Sequence, residues 1–143
     1  MLRTQGGCPL VATLPHNFTG RDRSRRGWEA DRRGRSAEET AQLALEREGW
    51  IILARRLRTG AGEIDMVAEK DGLLAVIEVK ARSSLADAAA ALSARQQARL
   101  VAATEIMLAM NPQWGAGGVR FDLLLVDATG VVRRIADAFR GSG

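Results

Sequence analysis

Several residue types are scarce in this chain, and their scarcity excludes whole classes of protein. One cysteine among 143 residues permits no internal disulfide, and with a single histidine it leaves little for a Cys/His zinc site. Tyrosine is absent, and the three tryptophans are too scattered to form a base-stacking platform. No run approaches the roughly 18 consecutive apolar residues of a membrane span, and no targeting signal is recognisable. We therefore expect a cytoplasmic protein without membrane contact.

The remaining composition is that of one globular domain. The chain is 46% hydrophobic and 27% charged, which argues against disorder over its whole length. Its length allows one buried core but not two full-size domains.

The net charge of +4 is unevenly distributed. Residues 1–35 hold eight arginines and three acids (8 − 3 = +5), whereas residues 36–143 hold thirteen Lys and Arg and fourteen acids (13 − 14 = −1). We predict that residues 1–33, which lack periodicity, form a disordered basic leader, and that residues 34–143 form a single domain. The leader arginines could bind phosphate, but a poorly ordered extension is the simpler interpretation.

Hydrophobic periodicity predicts an α/β fold. Ser36 and Glu39 fit a capping box that would begin a helix over 37–48, ended by Gly49. Ser93 similarly opens a second helix over about 94–110. Strands are predicted over 50–57, 63–69, 73–80, 119–126 and, at the sheet edge, 131–136. The Ala-rich segment 85–92 could be a loop or a short helix. The predicted order is therefore helix, three strands, helix, strand, with a further edge strand.

The third strand carries the most informative pattern. Residues 73–80 are apolar on both faces, which is typical of a central strand, yet Glu78 and Lys80 lie on one face at its end. Burying an unpaired charge is costly, so these two either pair or project into a polar cleft. The preceding hairpin strand could bring Asp65 beside Glu78. Two adjacent carboxylates repel unless a proton or cation intervenes, and Mg²⁺ suits carboxylate oxygens together with a backbone carbonyl and waters.

The same residues allow a plainer interpretation. Glu78 and Lys80 could form an ion pair on a solvated strand end, with Asp65 on an ordinary polar face. Glu38 borders the apolar stripe of the first helix and could add a third carboxylate. Acids in a first helical turn are, however, also favoured by the helix dipole.

Polar residues near the second helix are further candidates for substrate contact. Gln96 could simply complete the capping box of Ser93, and Gln97 would touch a substrate only if its helix faces the cleft. Arg82 and Arg95 flank the cleft and could contact phosphate, although solvated charge is the more ordinary role.

Four segments of the domain resemble the YraN-like family of small bacterial proteins, an uncharacterised protein family (UPF). They read GRSAEETAQLALEREGW, GEIDMVAEKDGLLAVIEVKAR, LSARQQARL and VRFDLLLV. The resemblance covers about residues 34–139. This family is placed in the PD-(D/E)XK, restriction-endonuclease-like superfamily, beside Holliday-junction resolvases. The resemblance thus implies a restriction-endonuclease-like core with a mixed central sheet.

By position, the resemblance implies a site made of Glu38, Asp65, Glu78 and Lys80. In such nucleases the carboxylates hold Mg²⁺, or Mn²⁺ in its place, and the lysine assists the attacking water. We expect the backbone carbonyl of Val79 to join the metal ligands. The family's Gly before the helix glutamate is Ala here, and its Lys-Gln pair opening the second helix is Gln-Gln, which removes one positive charge.

These residues support three hypotheses about function. The first is Mg²⁺-dependent hydrolysis of DNA phosphodiesters, in branched or damaged DNA, with nucleic acid as partner. The second is a nucleic-acid-binding module without turnover, and the third is a protein-interaction module on a nuclease-like fold. A domain this small could form a homodimer to cut both strands, although no sequence feature identifies a dimer interface.

Overall fold

A computed structural model describes residues 11–13, 26–81 and 92–140, with side chains over 37–81 and 92–140. The elements in this part of the chain are β1 (Val11–Thr13), α1 (Arg26–Arg47), β2 (Ile51–Thr59), β3 (Gly62–Lys70), β4 (Leu73–Ala81), α2 (Ala94–Met110), β5 (Val119–Val126) and β6 (Val131–Phe139). From α1 to β5 the order is helix, three strands, helix, strand, which confirms the predicted fold class.

The strands form one mixed sheet in the order β1-β6-β5-β4-β3-β2. β4 and β5 are parallel, and every other neighbouring pair is antiparallel. A parallel pair needs a crossover connection, and α2 lies within the one that joins β4 to β5. Residues 85–91, predicted as loop or short helix, lie outside the described residues.

The two helices cover opposite faces of the sheet, because successive side chains of β4 point to opposite sides. Ala75 and Ile77 pack in one apolar cluster with the α1 residues Ala41, Ala44 and Leu45. The α2 face has its own cluster, formed by Leu74 and Val76 with Leu100, Ala103 and Met107. β4 is therefore central and covered on both sides, as its apolar sequence predicted.

The predicted start of α1 is wrong, because the helix begins at Arg26. Residue 36 is thus interior to α1, and Glu38 does not lie in a first turn, so the helix-dipole interpretation of Glu38 no longer applies. The added turns have opposite charges four residues apart, Glu29 with Arg33 and Asp31 with Arg35, a spacing that favours helix without any apolar stripe. The remainder of the predicted leader, residues 1–10 and 14–25, lies outside the described residues.

The start of α2 matches its prediction. The Ser93 hydroxyl accepts from the Gln96 backbone N–H, and the Gln96 side chain accepts from the Ser93 N–H. This capping box satisfies backbone donors that the first helical turn leaves open, and it fixes the end of the helix that lies nearest the candidate site.

The last strand is longer and less peripheral than predicted. β6 extends to Phe139, and its first residues pair with β1. Asp122 of β5 is buried and bonds to both its neighbour and β6: it accepts two 2.8 Å hydrogen bonds from Arg120 and one from the Asp137 N–H. The bond to Asp137 holds the β6 backbone where it adopts a positive φ. No helix of the described residues is long and apolar enough to cross a membrane.

Candidate functional site

The β3–β4 hairpin brings Asp65 and Glu78 to one pocket. Met66 pairs with Ile77 in the antiparallel register, so the next position along places Asp65 opposite Glu78. Both residues line a pocket of about 290 Å³. Beyond Met66 and Ile77, the Val79 N–H donates to Asp65 Oδ2 at 2.9 Å. The Asp65 carboxylate thus accepts the hydrogen bond of a backbone N–H at the point where β3 and β4 stop pairing.

The environment of Asp65 disfavours its ionised form. The pKa of Asp65 is raised from 3.8 to about 7, first by burial and then by the nearby charge of Glu78; Glu38 also raises it, whereas the hydrogen bond from the Val79 N–H and the charge of Lys80 lower it. Glu78 and Glu38 therefore both lie within electrostatic reach of Asp65. A carboxyl with this pKa exchanges its proton near neutral pH, and a cation would favour its ionised form.

Glu78 and Lys80 fit both interpretations drawn from the sequence, the ion pair and the polar cleft. Lys80 Nζ lies 3.1 Å from Glu78 Oε2, and each side chain is 18% exposed. They form an ion pair, and Glu78 also lines the polar pocket. The ion pair holds the lysine ammonium beside the Glu78 carboxylate, from where its charge also lowers the pKa of Asp65.

Glu38 lies at the border of this cluster and not in the pocket itself. Its Oε1 accepts a 3.1 Å hydrogen bond from Arg56 Nε and lies 3.8 Å from Arg55 Nη2, with the side chain 13% exposed. Arg56 has a φ of 51°, a conformation uncommon outside glycine and asparagine. Glu38 is therefore near enough to influence Asp65 but is engaged by the arginines of β2.

The α2 helix supplies the other wall of the pocket. Gln96, Arg99 and Leu100 line it. Gln97 does not: its side-chain amide donates to the Leu92 carbonyl at 3.0 Å. Arg95 is exposed and does not line the pocket, and residue 82 lies outside the described residues.

Sequence reasoning missed two charged residues of the pocket, Glu63 and Arg99. Glu63 is paired with Arg58 across β2 and β3, at 3.6 Å. Arg99 follows Gln96 by three residues, and residues at this spacing share a helix face. The helical spacing could have identified Arg99 once Gln96 was considered.

The donor set fits a hard divalent cation bound through few protein ligands. Among the side chains that the structure describes, no group of three or more Asp, Glu, His or Cys lies close enough to hold a metal ion. Mg²⁺, however, is usually held by one or two carboxylates, with waters and substrate phosphates completing its shell. Asp65 and Glu78 meet that requirement, and their mutual repulsion is what a dication would relieve.

Comparison with known proteins places the chain among bacterial relatives of similar size. Residues 37–126 match the family described as "Uncharacterised protein family UPF0102". A UPF0102 protein of Granulibacter bethesdensis is 58% identical over 115 residues, covering 80% of this chain and 73% of its own length. One of Rhodopseudomonas palustris is 47% identical over 110 residues, covering 77% and 85%. One of Azorhizobium caulinodans is 45% identical over 119 residues, covering 83% and 91%. This chain belongs to the UPF0102 family, the YraN-like family that its sequence resembles.

Proposed function

We propose that this protein is a Mg²⁺-dependent nuclease that hydrolyses DNA phosphodiesters. The observation that supports this most directly is the convergence of Asp65 and Glu78 on one pocket, with Lys80 at 3.1 Å from Glu78. Two repelling carboxylates with an ammonium beside them suit phosphoryl chemistry better than they suit folding. A DNA substrate agrees with the cytoplasmic location expected from the sequence, and we keep branched or damaged DNA as the expected substrate class.

Each residue has a distinct role in this proposal. Asp65, Glu78 and the Val79 carbonyl would hold Mg²⁺, which when bound supplies positive charge to the phosphate and makes an attacking water more acidic. Lys80, held by Glu78, would orient that water and stabilise negative charge developing on the phosphate. Glu38 would complete the metal shell only by exchanging its contact with Arg56.

Cleavage of a defined DNA panel tests the proposal. The full chain is incubated with labelled linear, flapped and four-way DNA in Mg²⁺ or Mn²⁺, and products are resolved on denaturing gels. We expect Asp65→Asn and Glu78→Gln each to lower the cleavage rate by at least about a hundredfold. Glu69→Gln is the matched control, because it removes a carboxylate from the same strand as Asp65 but outside the pocket. Cleavage that survives Glu78→Gln would overturn the assignment.

A second candidate function is nucleic-acid binding without turnover. The absence of a three-acid metal group among the described side chains favours it, as does the Glu78–Lys80 pair, which already compensates one carboxylate. This alternative predicts salt-dependent DNA binding with no cleavage in any metal and no loss of binding in Asp65→Asn. A protein-interaction role would show neither DNA binding nor Mg²⁺ binding by calorimetry.

A further inference from the structure

Arg99 is the pocket-lining cation without a partner in the part of the chain that the structure describes. It faces a pocket lined by Glu63, Asp65 and Glu78, yet no hydrogen bond or ion pair with the described residues engages its guanidinium. Glu63 is compensated by Arg58 and Glu78 by Lys80. The lining residues carry three negative charges and one positive charge, so a dication beside Asp65 would bring their sum to zero (−3 + 1 + 2 = 0). With Arg58 and Lys80 compensating Glu63 and Glu78, the site as a whole would be positive (0 + 2 = +2).

The stem of Arg99 is placed by a glycine. A Cβ at Gly62 would lie 3.0 Å from both Cγ and Cδ of Arg99, so the side chain rests directly on the bare backbone at the start of β3. Gly62 also has a φ of 147°, which L side chains rarely adopt. The glycine therefore allows the arginine stem to lie flat against the strand that carries Asp65.

Helix α2 fixes the position of the Arg99 backbone and places a polar side chain beside it. Leu100, which follows it, is buried in the α2 core and anchors that turn. Gln96, one turn earlier on the same face, is held through its side-chain oxygen by the Ser93 N–H, which leaves its NH₂ group as a donor at the pocket. Two donors of α2 thus face the carboxylates of β3 and β4 across the pocket.

We propose that Arg99 is a substrate-binding residue that binds a backbone phosphate of the nucleic acid and positions it beside the carboxylates of Asp65 and Glu78. Gln96 would be a second hydrogen-bond donor to the phosphate. A planar guanidinium matches two phosphate oxygens at once, and Arg99 is exposed enough to reach a ligand that enters from solvent. This inference rests on the proposed nuclease function, and it adds the residue that brings substrate to the site.

Arg95 offers a control of equal charge on the same helix. It is exposed and one turn away, but it does not line the pocket. Binding of the full-length protein to a fluorescein-labelled four-way junction and to a linear duplex is measured by anisotropy over a salt series, in Ca²⁺ to slow cleavage. We expect Arg99→Gln to weaken binding roughly tenfold and to flatten the salt dependence by about one phosphate contact. Arg95→Gln should change neither by as much.

A glycine pair tests the placement of the arginine independently. Gly62→Ala should displace Arg99 and weaken binding in the same direction as Arg99→Gln. Gly60→Ala, in the same turn, meets nothing within 4 Å and should bind like the wild type. Thermal melts of all variants separate loss of binding from loss of fold, and the Arg99→Gln result stands even if Gly62→Ala unfolds.

The outcomes separate this inference from the proposed function. The wild type could bind and cut DNA while Arg99→Gln and Arg95→Gln lose equal binding affinity, or while neither variant loses any. Either result would overturn the role of Arg99 and leave the nuclease proposal standing. A wild-type protein that neither binds nor cuts any of the DNA would overturn both.

Discussion

Replacing Asp65 by asparagine should stabilise the metal-free protein at neutral and alkaline pH. Asparagine keeps an oxygen that can accept the Val79 N–H bond but removes the negative charge that burial and Glu78 oppose. Its volume is almost unchanged, so the substitution alters charge more than packing. The same substitution should abolish the proposed cleavage. Asp65→Asn would therefore raise the stability of the protein while removing its function.

The magnitude follows from the two protonation equilibria. In the unfolded chain Asp65 loses its proton near 3.8, whereas in the fold it keeps the proton until about pH 7. Between these values the native state binds the additional proton, so the unfolding free energy falls as pH rises, and it stops falling above the folded pKa. Each tenfold change in proton affinity is worth about 1.36 kcal/mol, which gives at most about 4 kcal/mol lost by pH 8.

Urea denaturation followed by tryptophan fluorescence measures this loss. Unfolding free energies of wild type, Asp65→Asn and Glu69→Gln are compared from pH 4.5 to 8.5 without divalent metal. The advantage of Asp65→Asn over wild type should grow from pH 4.5 to about 7 and then level off, while the Glu69→Gln curve parallels wild type. An advantage that is constant with pH, or an Asp65→Asn protein less stable than wild type at pH 8, would refute the reasoning.

Three further predictions concern metal linkage, a buried ion pair and a helix cap. Added Mg²⁺ should raise the melting temperature of wild type at pH 8 but not that of Asp65→Asn, and equal shifts would show that the metal binds elsewhere. Asp122→Ala should cost about 3–5 kcal/mol in urea, because it leaves the Arg120 charge and the Asp137 N–H without their acceptor; a wild-type midpoint would contradict this. Ser93→Ala should cost about 1 kcal/mol and Ser93→Asn much less, so equal losses would argue against the capping box.

Elements with strong local signals could be predicted almost to the residue. Helix α2 and strands β4 and β5 have the predicted bounds to within one residue. Their signals are short-range: the Ser93–Gln96 capping box for the helix and uninterrupted apolar runs for the two central strands. The Asp65–Glu78 juxtaposition also follows from local information, because a tight hairpin turn fixes the register of its strands.

Features that depend on contacts between residues far apart in the sequence could not be predicted in the same way. The first turns of α1 have charged residues and glycine where the prediction required an apolar stripe, so the start at Arg26 escaped detection. Pairing of β6 with β1 joins residues more than a hundred positions apart. The presence of Arg99 in the pocket, and the absence of Arg95 from it, depends on how α2 is rotated against β3, which periodicity alone leaves open.

The distribution of charge around the pocket supports a functional reason for Asp65. Neighbouring acids each form an ion pair: Glu63 with Arg58 of β2, Glu38 with Arg56 of β2, and Glu78 with Lys80 of its own strand. Asp65, at the centre, accepts a hydrogen bond from a backbone N–H but forms no ion pair with the described side chains, and only the more distant charge of Lys80 opposes the rise in its pKa. Folding alone would favour asparagine here, since it keeps the hydrogen bond without the repulsion. Natural proteins retain such costs chiefly at functional sites, so the unpaired carboxylate is better explained by a ligand that it binds than by the fold that it destabilises.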